Sequence, residues 1–421
     1  LDGDGQNDPF DLPRLLEKDY LRRLHAAQFV TEIQGGSDVA ANSCIASPDA
    51  KRQGWYRISG EKWFCSVIDA GLFVVTARPE GAPQGTQGLG LFLVPRTMEG
   101  AVNDFTIRRL KYKLGTRSLA SAEVDFNGAL AEPIGPLEEG FKNLVGIVLD
   151  TSRVHNAVAA CGLMRRACIE AQGYAQQRCA FGKAIIEHPT VAQILARMKV
   201  VSCAAVATTF RILAMSDRLA RSQHQDLSAA RRTHVNLNKY WTAIHCTRVV
   251  RDAIEVLGGN GTIEEFSVLP RLYRDAIVLE SWEGTHNTLC AQVLRDFTSR
   301  GLHYAWLAEM RQALTGIKQP ALAAYRTRMA LLLDDVAVRI ERLLSNDGNY
   351  ASLHIRSVID RMCIANDFLS LLLELDWERG NRIETVKGGM IDLYQRLFID
   401  PADPLDDAGL PALIQAISRA D

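Results

Sequence analysis

Three long segments with apolar residues three and four apart constrain this chain most: Leu144–Arg178, Thr190–Arg221 and Ser228–Leu257. A stretch of that length and period can bury its apolar stripe only by lying beside similar helices. The connections AFGKAIIEHP (180–189) and SQHQD (222–226) are short, which predicts antiparallel neighbours in a four-helix bundle. Ahead of these segments the period is different. From about Thr31 to Phe126, β-rich runs alternate with turn residues: WYRISG (55–60), LFVVTARP (72–79), LGLFLVP (89–95), NDFTIRRL (103–110) and ASAEVDF (120–126). Their spacing predicts an antiparallel sandwich or barrel. The linker GPLEEG (135–140) closes that block, and the pattern beyond Arg300 is helical again. The expected fold class is therefore α+β. Its domains are a β-domain at 29–135, a helical bundle at 136–302 and a helical C-terminal extension at 303–421. Residues 1–28 open on the turn-rich LDGDGQNDPFDLP and read as the remnant of an N-terminal helical region, with LPRLLEKDYLRRLHAA (12–27) as its helical part.

Composition narrows the class of function. A net charge of −1 over 421 residues provides no global attraction to nucleic acid or to an anionic membrane. Nine cysteines, with no CxxC pair and no zinc-like spacing, fit a reducing compartment: the cytoplasm, or the mitochondrial matrix in a eukaryote. His155, His188, His245 and His286 lack the paired spacing of a metal site, and Cys161 and Cys168 read as core thiols. No apolar run long enough to span a bilayer and no signal pattern is apparent.

The densest chemistry lies in Ser281-Trp282-Glu283-Gly284-Thr285-His286-Asn287. A carboxylate beside an apolar ring is poorly solvated, which raises its proton affinity toward the range of a general base. The same segment also reads as a helix-capping acid. Just upstream, Val256-Leu257-Gly258-Gly259-Asn260-Gly261 forms a turn rich enough in glycine to bring backbone amides against a ligand.

Taken in order, TEIQGGSD (31–38), SGEKWFCS (59–66), KLGTRS (113–118), QRCAFGKAI (177–185), EVLGGNG (255–261), RLYRDA (271–276) and WEGTHN (282–287) resemble the acyl-CoA dehydrogenase family. The likeness runs from about Phe29 to Arg300 and is strongest to the AidB, alkylation-response branch, whose members are flavoproteins. The resemblance implies FAD bound between the β-domain and the bundle, an acyl-CoA substrate, and transfer of the substrate's β-hydrogen as hydride to flavin N5. It places Glu283 as the base that takes the α-proton. Among flavin contacts it implies Thr31 and Ser37, Phe64 against the isoalloxazine, Ser66 near N5, and Trp282, Thr285 and Asn287 around the base. Arg178 and Phe181 with Glu255, Gly258 and Gly259 would serve the FAD of a neighbouring subunit, so a homo-oligomer is expected, a dimer or a dimer of dimers (a homotetramer). An electron-transfer flavoprotein is the implied electron acceptor.

The sequence departs from the family in three places. The family's helical domain before TEIQGGSD has no full counterpart in the thirty residues that precede it; the motif lacks the usual proline and alanine; and residues 303–421 have no fixed family role. An AidB-like alternative follows, a flavoprotein acting mainly on duplex DNA with weak dehydrogenase activity. Its support is the basic set Arg211, Arg218, Arg221, Arg231, Arg232, Lys239, Arg248 and Arg251 on the second and third helical segments. The balanced overall charge favours the enzyme.

Overall fold

The computed structural model describes Phe10 and residues 12–222, 224–401 and 403–420. The opening LDGDGQND, part of the expected N-terminal remnant, lies outside the described residues. The chain divides into two compact units, Leu1–Leu149 and Asp150–Asp421.

The first unit is built on seven strands: β1 Ala26–Phe29, β2 Ile45–Pro48, β3 Tyr56–Ser66, β4 Leu72–Pro79, β5 Gly90–Pro95, β6 Phe105–Leu110 and β7 Ser121–Pro133. Five of them close a ring, β4 to β5 to β7 to β3 to β2 and back to β4, which removes the free edges of an open sheet. All five runs read from the sequence become strands here. The expectation of a purely antiparallel sheet needs correction, because β1 and β2 both pair with β4 in parallel. Both are only four residues long and too short to show alternation. The expected helix at 12–27 is also absent. Leu12–Leu16 is a single 3-10 turn, and Leu16, Tyr20 and Leu21 remain exposed, so nothing among the described residues buries them to reward a longer helix. Inside the ring, Phe29, Ile58, Phe73, Phe92, Val124 and Phe126 are buried as one core.

The first unit continues past the linker to Leu149, beyond the boundary expected at 135. Gly140 shows why: a Cβ there would lie 2.5 Å from the Leu89 carbonyl and the Leu91 amide, so the chain is seated directly on β5.

The second unit is helical. Its long members are α1 Asp150–Gln177, α2 Pro189–Arg221 and α3 Gln225–Leu257, followed by α4 Leu269–Ser281 and α5 His286–Arg300. The three long helices fall on the three periodic segments and pack on one another around Met164, Leu195, Met198 and Val250. α2 is apolar and long enough to cross a membrane by composition, which corrects the expectation of no such run. Two thirds of its most apolar window is buried inside the protein, as in a core helix.

Beyond α5 come α6 Leu302–Thr315, α7 Ala323–Leu344, α8 Gly348–Gly380, α9 Lys387–Tyr394 and α10 Leu410–Arg419. These do not form a separate layer. Trp306, Val336, Ile359, Phe368 and Tyr394 share one buried core with Leu237, Trp241 and Phe297 of the preceding helices. The boundary expected at residue 302 is therefore not a packing boundary.

Candidate active site

In the second unit, Glu283 sits in the tight connection from α4 to α5. The chain leaves α4 through an extended Trp282, passes through Glu283 with φ +58° and Gly284 with φ +103°, and enters α5 at Thr285. Glycine adopts the left-handed region freely, but a glutamate held there costs on the order of 1–2 kcal/mol. Two buried cations hold the loop in place. Arg153 of α1 donates Nε to the Glu283 carbonyl at 3.0 Å and Nη1 to Asn236 Oδ1 at 2.7 Å. Lys239 of α3 donates Nζ to the carbonyls of Gly284 at 2.7 Å and Glu280 at 3.0 Å. Burial drives the Lys239 ammonium down to about 7, with Arg153 adding repulsion and the carboxylates of Glu283 and Glu280 opposing the fall.

The helix-capping alternative for Glu283 does not hold, because Thr285 is the N-cap, accepting from the Thr288 amide. Glu283 is half-buried in this single chain, and Trp282 packs on the α1–α4 core. Asn287 is exposed and its Oδ1 accepts from Arg356 of α8 at 2.7 Å. Glu280, close by in sequence, is a structural acid: burial would raise it, but hydrogen bonds from His286 Nε2 (2.9 Å) and the Thr247 hydroxyl hold it below the usual carboxylate value.

In the first unit, TEIQGGSD and EKWFCS are tied together by a residue pair that the sequence reading passed over. Glu32 and Lys62 are completely buried and meet at 2.7 Å. Glu32 also accepts from the Ser43 amide (2.6 Å), the Ser43 hydroxyl (2.9 Å) and the Cys44 amide (3.2 Å). Burial would raise its pKa, but Lys62 and these donors pull it down to about 2. Thr31, beside it, accepts through its carbonyl from the Trp63 amide at 2.8 Å, and a Cβ on Gly36 would collide with the Thr31 hydroxyl. The pair therefore sets Thr31 against the strand that carries Phe64 and Ser66. Phe64 is 53% exposed, on the outer face of β3. Ser66 Oγ lies 2.7 Å from Ser121 Oγ, and Ser37 is exposed. Lys111 stands 3.5 Å above the Trp63 ring.

A third group gathers on the surface of the second unit. Arg178 follows α1, and the hairpin after it turns through Phe181 and Gly182, both at positive φ. Phe181 is 96% exposed. Gly258, at φ +62°, opens the glycine turn after α3, and Asn260 of that turn donates to Tyr174 Oη of α1 at 3.3 Å. Arg178, Tyr174, Leu257 and Phe266 line one open cavity of about 420 Å³. Glu255 and Gly259 are exposed on either side of Leu257 in the chain; of the expected set, only Arg178 lines this cavity.

Residues 27–129 match the model of the acyl-CoA dehydrogenase middle domain, and residues 138–297 match that of its C-terminal domain. The chain belongs to the acyl-CoA dehydrogenase family. It is 35% identical over 295 residues to acyl-CoA dehydrogenase family member 11 of Caenorhabditis elegans, covering 68% of this chain and 47% of that protein. It is 36% identical over 281 residues to the putative acyl-CoA dehydrogenase AidB of Escherichia coli strain K12, covering 66% of this chain and 50% of that one. A crystal structure of Caenorhabditis elegans ACDH-11 in complex with C11-CoA superposes with a TM-score of 0.81 at 29% identity, over 94% of this chain and 67% of that one. This family member spans about half the length of these two curated relatives.

The basic set on α2 and α3 is largely internal to the acyl-CoA dehydrogenase fold. Arg211 pairs with Glu309 (2.6 Å), Arg231 with Asp150 (2.6 Å), Arg232 with Asp296 (2.8 Å) and Arg251 with Asp252 (3.5 Å). Lys239 is consumed by the Glu283 loop. Among the described residues no His, Cys, Asp or Glu cluster suits a metal. Cys161 is buried and Cys168 half-buried, and burial pushes their thiols up to about 11 and 12, out of the reactive range.

Proposed function

We propose that this chain carries the flavin- and substrate-binding part of an FAD-dependent acyl-CoA dehydrogenase, with Glu283 as the α-proton base. The observation that carries the reading is the Glu283 loop: a non-glycine residue at φ +58°, pinned by Arg153 and Lys239 through backbone carbonyls. That arrangement fixes where the carboxylate stands, as a proton-transferring group requires. A carboxylate oxygen of Glu283 takes the proton from the carbon next to the thioester carbonyl. The bound acyl thioester excludes water and raises the proton affinity of the acid. The flavin, when bound, supplies the acceptor for the hydride that leaves the β-carbon.

The residues fit such a cofactor. Phe64 offers an exposed aromatic face, and α5 offers a fifteen-residue helix whose N-terminus suits a phosphate. Arg178, with no ion pair among the described residues, lies near the fully exposed Phe181. A free guanidinium and a bare aromatic ring at one surface fit the dinucleotide of a second copy, which supports a dimer or a dimer of dimers. Membership in the four-helix-bundle architecture of the family, an electron-transfer flavoprotein as acceptor, and a cytoplasmic or matrix location belong to the same reading. The DNA-binding alternative retains little, because only Arg218, Arg221 and Arg248 of the basic set have neither an ion pair nor, like Lys239, backbone carbonyl partners among the described residues.

The purified chain is expected to show flavin absorbance that bleaches under anaerobic titration with acyl-CoAs, with a chain-length optimum. A colourless protein that takes up no FAD would contradict the proposal.

A further inference from the structure

A second site lies on the opposite side of α3 from the Glu283 loop. Lys239 and Arg248 are about two and a half helical turns apart, so they point to opposite faces. On that far face Arg248, Arg251 and Asp252 meet Arg197 of α2 and the π-helical turn Gln395–Ile399, which brings Leu397 and Phe398 over them. Together they line a cavity of about 410 Å³. π-helical turns of this kind recur at functional sites.

The charge in this cavity is unbalanced. Asp252 is the one carboxylate lining it, and it accepts from Arg197 (2.8 Å) and faces Arg251 (3.5 Å). Arg248 has no ion pair among the described residues. Beneath the arginines His245 is 5% exposed, and its Nε2 has no hydrogen-bond partner there. The ring is edge-on to Trp241 (4.4 Å) and Phe398 (5.9 Å). Burial, with Arg248 adding to it, holds this imidazole down to about 3, so it is neutral at physiological pH. A buried polar atom without a partner is uncommon and calls for a ligand or water.

The cavity also has an apolar annex. A second cavity of about 210 Å³ shares Arg197 and Leu397 with it and is walled by Ile194, Leu393, Leu410 and Ile414 under α9 and α10. Its further polar residues are Gln193, Arg396, Asp403 and Asp407; Arg396 pairs with Asp407 at 2.5 Å, and Asp403 caps its own turn by accepting from the Leu405 amide. The unmatched positive charge is thus on the α3 side and the hydrocarbon lining under α10.

We propose that this paired cavity binds a medium-chain acyl carboxylate, its head on Arg248 and Arg197 and its chain under α10, as a site separate from the Glu283 loop. Guanidinium forks match a carboxylate's two oxygens, and the annex takes the methylenes out of water. The site depends on α9 and α10, which lie outside the segments that match the family, so it is a property of this chain's C-terminal helices.

The test is isothermal titration of the full chain with sodium octanoate, alongside acetate and 1-octanol, which carry the head or the chain alone. One octanoate per chain is expected at this site, with both fragments binding at least about tenfold more weakly. Arg248→Ala removes an exposed side chain that the fold does not use and should weaken octanoate about tenfold. Ile414→Trp fills the annex and should abolish binding of octanoate while leaving acetate unchanged. Glu283→Gln should bind octanoate as the wild type does. Octanoate binding that is undetectable, or unchanged in Arg248→Ala, or lost in Glu283→Gln, overturns the proposal.

Discussion

Glu32 and Glu283 occupy the two most family-like motifs of this chain, and the protein uses them in opposite ways. Glu32 is completely buried, holds Lys62 at 2.7 Å and takes three further donors from Ser43 and Cys44. Its charge is spent on joining TEIQGGSD to β3. Glu283 is half-buried, and the cations near it, Arg153 and Lys239, hold backbone carbonyls of its loop. One acid is an architectural ion and the other is a positioned acid with its backbone under strain. An acid within a recognisable motif is thus not thereby catalytic; depth of burial and backbone conformation separate the two cases, Glu32 being completely buried and Glu283 half-buried at φ +58°.

Three substitutions sharpen this comparison. The largest effect on stability is expected at the architectural end. Lys62→Met strands a buried carboxylate and should destabilise the protein by about 3–5 kcal/mol, measured by urea unfolding. A change within about 0.5 kcal/mol would show that Glu32 is not held as described. A smaller effect, and of another kind, is expected at Lys239. Lys239→Met should slow flavin reduction by roughly ten- to a hundredfold by loosening the Glu283 loop, while the melting temperature holds or rises.

The same residue sets a pH dependence. With the ammonium at about 7 in the folded protein and its ordinary value of 10.5 in the unfolded chain, the unfolded state binds more protons between those limits. Wild-type stability should therefore gain from this group as pH rises from about 7 toward 10.5, and Lys239→Met should lack that rise. The smallest effect on the fold belongs to the surface group. Phe181→Ala should leave stability within about 0.5 kcal/mol yet increase loss of flavin on gel filtration. Flavin retention equal to the wild type would remove Phe181 from the cofactor site.

Much of the fold was legible because its periods are long or its strands alternate. The segments ending at Arg178, Arg221 and Leu257 carry enough helical repeats to declare themselves, and α1, α2 and α3 follow them closely. β1 and β2 escaped notice because four residues cannot show a period, and their parallel pairing with β4 is a tertiary choice. The C-terminal helices looked like an extension because a chain's order says nothing of which apolar faces meet; Phe368 and Trp306 bury themselves against α3 and α5.

In the site, Glu283 and the Arg178–Gly259 surface group came from motif order. Arg153 and Lys239 did not, since each reads as an ordinary helix cation until burial and hydrogen bonds are known. The signal available was weak: Arg153 lies near the start of α1, and Lys239 is followed by Tyr240 and Trp241 on α3, an aromatic setting that suits a partly desolvated charge.

Under the proposed function, Glu283 is a positioned base and not an architectural acid. The most direct test is anaerobic stopped-flow reduction of the bound flavin by acyl-CoA in wild type and Glu283→Gln. The variant is expected to keep its flavin and its melting temperature but to bleach about a hundred- to ten-thousandfold more slowly. Bleaching at the wild-type rate in a folded, flavin-loaded Glu283→Gln protein would contradict that role.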